Sequence, residues 1–143
     1  MNGTRSVDPV PEGTALTVVG GRRTIDPLVA RFFAERGWSA HERGSGRFIV
    51  ETGSLRRTVL LGAFAGSRFR LTALIELLEP LQPPRGADAP ETVEVRYRWG
   101  AGAGRALGGS IGRARAARRH RETSLALERY LGAAGHSVHA RPL

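Results

Sequence analysis

Ser110 lies in Gly108-Gly109-Ser110-Ile111-Gly112, the G-x-S-x-G spacing of a serine nucleophile. Glu122 or Glu128 and then His136 or His139 follow it, giving the chain order serine, acid, histidine. That chemistry needs a strand running directly into the serine, so that the hydroxyl stands exposed on a sharp turn. The last strand-like pattern before Ser110 ends at Trp99, and the chain is too short for a hydrolase sheet of that kind. The glycines are better explained as a backbone feature, and a catalytic serine is rejected.

Other constellations fail on chemistry. His120 and Glu122 form H-x-E, but zinc deaminases need cysteine ligands and this chain has none. Its four histidines lack metal-ligand spacing. It has no lysine, which removes a phosphate-loop lysine and Schiff-base catalysis. Gly102 and Gly104 begin a G-x-G after a strand, yet Leu107 stands where the third glycine of a dinucleotide fingerprint belongs. No catalytic residue, metal or cofactor is implied, and the sequence leans away from an enzyme.

What remains is arginine. Between positions 96 and 121 stand Arg96, Arg98, Arg105, Arg113, Arg115, Arg118, Arg119 and Arg121, with no carboxylate among them. The whole chain carries +9 at pH 7, which favours an anionic partner: nucleic acid, an acidic protein surface or anionic lipid. All 22 basic residues are arginine, and Gly and Ala are also abundant, as codon bias in a GC-rich genome would produce. Position therefore matters more than count.

These residues must be positioned by a fold, and 143 residues with 41% hydrophobic content suffice for one domain with a real core. Residues 1–13 are polar with two prolines and read as a flexible arm; residues 14–143 read as a single α+β domain. No secretory h-region and no apolar run near 18 residues occur, so a cytoplasmic protein without a transmembrane segment is expected.

The β-branched run 14–19 predicts a first strand. A helix follows, with Asp26 as N-cap, Pro27 in the first turn, and Leu28/Phe32 and Val29/Phe33 at i, i+4 on one apolar face; Gly37 ends it. Period-two alternation then predicts strands at 38–42, 47–52, 55–62, 68–77 and 92–99, separated by short glycine-bearing turns. Residues 78–91 contain four prolines and read as a surface loop. If the last two strands pair end to end, Arg68 and Arg70 neighbour Arg98 and Arg96, a cluster of like charge that wants a counter-charge.

Gly100, Gly104, Gly108 and Gly112 form a small-residue ridge leading into a long C-terminal helix. Leu107, Ile111, Ala114 and Leu125 share one helical face, and Leu127 and Leu131, with His120 and Ser124 beside them, share another. Arg113, Arg115, Arg118, Arg119 and Arg121 point in nearly every direction between them. Buried unpaired charge is prohibitive. Hence the helix either breaks near 118–122 or projects its middle into solvent or a partner. Residues 136–141 are either a short edge strand or a tail.

The expected architecture is a two-layer α+β fold, element order β-α-β5-α, with an antiparallel meander of about five to six strands packed against both helices. In element order it is similar to the helix-grip and TBP-like families, in which a curved antiparallel sheet wraps a terminal helix. Three functions fit. One is a non-enzymatic basic module that docks an acidic protein or nucleic-acid phosphates through Arg68, Arg70, Arg96, Arg98, Arg113, Arg115, Arg118, Arg119 and Arg121. A second is a helix-grip pocket for a small hydrophobic ligand, lined by Trp38, Phe48, Phe69, Tyr97 and Trp99. The third is a structural subunit of an assembly, with self-association through the glycine ridge.

Overall fold

The computed structural model describes residues 13–52, 71–80, 89–99 and 109–143, the last segment as backbone alone up to 114. The expected arm, the strand at 55–62, the glycines 100–108, and Arg68, Phe69 and Arg70 lie outside the described residues. Within them the chain runs β1 (Gly13–Val19), α1 (Arg22–Glu35), β2 (Ser39–Glu42), β3 (Arg47–Glu51), β4 (Thr72–Leu78), β5 (Thr92–Arg98), α2 (Gly109–Ala133) and β6 (Val138–Pro142). The result is the expected α+β arrangement, with a six-stranded sheet in the order β2-β3-β4-β5-β1-β6, every pair antiparallel. Residues 138–142 are a strand, which resolves that alternative.

Helix α1 begins earlier than Asp26. Thr24 and Ile25 donate their backbone N–H to Gly21 O, each at 3.0 Å, and Gly21 is the N-cap. The gain is burial of Ile25, which extends the apolar stripe to Ile25, Val29, Phe32 and Phe33, all fully buried. Pro27 therefore lies inside the helix and removes one backbone hydrogen bond. Asp26 instead pairs with Arg22 at 3.2 Å. The far end follows expectation: Gly37 has φ 77°, and Gly37 N–H and Trp38 N–H donate to Ala34 O and Phe33 O. This double bond pattern is a Schellman cap, and its usual apolar contact is made by the Trp38 and Phe33 rings, 5.4 Å apart edge to face.

One sheet face carries the core. Leu16, Val18, Val50, Ala73, Ile75, Val93, Val95 and Tyr97 meet α1 and the Leu127/Leu131 stripe of α2. Helix α2 runs unbroken from Gly109 to Ala133 and closes on a second cap at Gly135, φ 96°. Of the two sequence alternatives, the one realised is a continuous helix, with Arg115, Arg118, Arg119 and Arg121 exposed. His120 and Ser124 are buried beside the leucines, as the spacing predicts.

Candidate binding surface on the C-terminal helix

The face of the sheet away from the helices bears Arg96 and Arg98, and strand register decides their neighbours. Arg96 pairs across β4 with Glu76, and Arg98 with Leu74. Arg96 is thus six positions further along β4 than the end-to-end pairing beside Arg70 expected, opposite an acid. Glu76 is flanked on its other side by Arg47 and is only 8% exposed. Arg98 Nε comes to 4.0 Å from Glu76 Oε1. Glu94, two residues back on the same strand face, accepts from Arg96 Nε and from Arg141 Nη2, the latter at 3.3 Å. Partial burial works to raise the Glu94 pKa, but Arg96 and Arg141 together outweigh it and hold it below the usual carboxylate value. The counter-charge wanted by these arginines comes from the chain itself.

Beneath α2 the structure gathers rings that the sequence names separately. The Tyr97 hydroxyl lies 2.7 Å from His120 Nδ1. The Trp99 ring stacks on His120, with centroids 5.5 Å apart and planes 10° apart, and Trp38 sits tilted at 6.5 Å. His120 is 4% exposed; burial lowers its pKa to about 4, so the imidazole is neutral at pH 7. Burial pushes the Tyr97 phenol well above its usual value, with a hydrogen bond to Thr123 pulling weakly the other way. Trp99 Nε1 is buried and has no hydrogen-bond partner among the described residues. Phe48 packs at the core margin over Ile75 on the facing strand. The H-x-E pair is split: His120 turns inward, while Glu122 turns outward to Arg118 at 3.2 Å. Ser110 lies in the first turn of α2, within helical backbone rather than on a strand-to-helix elbow.

Sequence reasoning did not place His120 in a site. Its signal was its place in the Leu127/Leu131 stripe, which marks it as inward-facing and so in need of a polar partner.

Above this cluster a groove of about 300 Å³ opens between α2 and the β2–β3–β4 end of the sheet. Arg36, Trp38, Thr52, Leu71, Arg119, Glu122, Thr123 and Ala126 line it. Arg36 is held in place, its guanidinium 3.8 Å above the Phe32 ring and bonded to Phe32 O. Thr123 Oγ1 donates to Arg119 O at 2.8 Å, fixing the wall of the helix.

The solvent side of α2 differs from the sheet face. Arg115, Arg118, Arg119 and Arg121 are all exposed. Arg118 reaches Glu122, but this pair is 79% and 56% exposed, a weak tie in water. Arg115, Arg119 and Arg121 form no ion pair among the described residues. Leu125, 50% exposed, is the exposed large hydrophobic side chain among the described residues, and it stands one turn from Arg121 and from Arg129. The backbone at Arg113 belongs to the same helix.

No family model, curated protein or solved structure matches this chain. The class of molecule is thus defined by its own geometry, a two-layer α+β domain with one charge-compensated arginine face and one open one. Among the described residues no helix is long and apolar enough to cross a membrane.

Proposed function

We propose that this protein is a cytoplasmic, non-enzymatic binding module that docks an acidic protein surface through the exposed arginines of α2. One observation carries the reading: Arg115, Arg119 and Arg121 stand exposed without an acidic partner among the described residues, whereas Arg96 and Arg98 are answered by Glu94 and Glu76. An uncompensated cationic helix face steers and selects anionic partners. A protein is favoured over nucleic acid because the rings of Tyr97 and Trp99 are buried in the core. Single-strand binding draws on exposed aromatic platforms for stacking. Leu125, among the arginines, supplies apolar contact of the kind found at the centre of protein interfaces.

The test compares two arginine pairs by fluorescence anisotropy with a labelled glutamate-rich peptide. Replacing Arg119 and Arg121 by glutamine lowers affinity about fivefold, as two partly exposed ion pairs give. Replacing Arg96 and Arg98 by glutamine changes it less than about twofold, and wild-type affinity falls as salt is raised. Equal losses from both pairs, or binding indifferent to salt, would defeat the reading.

A further inference from the structure

The groove beside the arginine face has features that charge docking alone does not use. Its floor is apolar, formed by Trp38, Leu71 and Ala126, and its rim carries the guanidinium groups of Arg36 and Arg119. The acid on that rim, Glu122, is already engaged by Arg118. The Arg119 side chain has no partner among the described residues. At about 300 Å³ the groove is at the small end of ligand-binding cavities, the size for one large side chain rather than a cofactor. Its walls are also stiff. Trp38 is fixed by the cap contact with Phe33, Arg36 by Phe32, and Thr123 by Arg119 O. Stiff walls lower the ordering penalty of binding.

We infer that this groove takes a single aromatic or large aliphatic side chain from the acidic partner, while a carboxylate adjacent to it in the partner's sequence is held by Arg119. The inference rests on the docking reading above and names the partner's chemistry: an acidic segment with one apolar anchor. An apolar floor with a cationic rim complements that pattern and discriminates against a purely acidic chain, which would leave the floor wet. Such a central anchor, ringed by polar contacts, is how binding energy concentrates in an interface.

Two labelled peptides test it on the full chain: a short Glu/Ser peptide with one central Phe, and the same peptide with Ala there. The Phe peptide is expected to bind at least about tenfold tighter, the return on burying one aromatic side chain. Ala126→Leu, which fills the groove, removes that advantage and leaves the Ala peptide's affinity unchanged. Equal binding of the two peptides by the native chain, or an advantage that survives in a folded Ala126→Leu protein, overturns the groove inference while the docking reading stands. A measurement independent of any variant uses 4-nitrophenylalanine as the central residue. Seated against Trp38 it quenches tryptophan emission, and unchanged emission at saturation overturns the inference. If neither peptide binds, or a single-stranded oligonucleotide of equal charge binds tighter than both, the docking reading itself fails.

Discussion

The arginines of β5 and those of α2 are the same residue on two outward faces of one domain, and they do different physical work. On β5, strand register sets Arg96 opposite Glu76 and beside Glu94, and Arg141 of β6 closes on the same acid. Those guanidiniums are satisfied before any partner arrives. On α2, the turn containing Arg118 and Arg119 carries one acid, Glu122, and both members of its pair are mostly in water. A basic composition therefore says little until each charge is assigned a neighbour. The net charge of +9 overstates the sheet and understates the helix.

The largest expected effect tests how the two faces are held. Helix α2 is pinned from below by neutral His120, whose pKa is lowered to about 4 by burial against an unfolded value of 6.5. Because the folded value is the lower one, the unfolded chain takes up a proton first as pH falls. Stability is complete above about pH 6.5 and is lost progressively toward pH 4, by up to about 3 kcal/mol. The Glu94 carboxylate, also lowered, keeps its arginines until the pH falls below the ordinary carboxylate range. Between pH 6 and 5, amide protection factors, corrected for the pH dependence of intrinsic exchange, should fall on α2 before they do on β5. Simultaneous loss of protection on both would break the contrast.

Next in size is Glu76→Ala. It removes a nearly buried acid and leaves Arg47 and Arg96 on either side of it, with Arg98 close by. Breaking a buried pair costs about 3–5 kcal/mol; with Arg98 half exposed and at 4.0 Å, about 2 kcal/mol is expected in urea unfolding. Glu122→Ala on α2, by comparison, should fall within about 0.5 kcal/mol of the native chain. Equal losses would mean that the α2 charges are also structural.

The contrast was only partly legible in the sequence. Alternation on β4 and β5 assigns faces, because period two leaves no other choice once Tyr97 and Val95 face inward. It does not assign register: sliding β5 by an even number of residues along β4 keeps every face, and a slide of six exchanges Arg70 for Glu76 as the neighbour of Arg96. Nor does local pattern place β1 between β5 and β6, since that pairing joins residues more than a hundred positions apart in sequence, as at Leu16 and Ala140. The start of α1 was misplaced because Asp26-Pro27 is a strong local cap signal, overridden by burial of Ile25. The C-terminal helix was legible in its Leu127/Leu131 stripe, while its arginine-rich middle left a break near 118–122 and a projecting helix equally open. Its groove was not, because Trp38, Leu71 and Ala126 meet only through packing of three separate segments.

The smallest effect separates the faces most cleanly. Arg96→Ala should cost about 1 kcal/mol, since Arg96 and its acid are both partly buried and the acid is shared with Arg141. That loss should shrink in high salt, because screening weakens what the pair contributes. Arg119→Ala should change stability by less than about 0.5 kcal/mol, because the side chain stands exposed on a helix where alanine has the better intrinsic propensity. Loss of a charge from a crowded cationic turn can even stabilise the free chain. Thermal unfolding of the two variants at low and high salt reads both. If Arg119→Ala proved as destabilising as Arg96→Ala, its guanidinium would be held by the fold, and Arg119 would have no free charge to offer a partner.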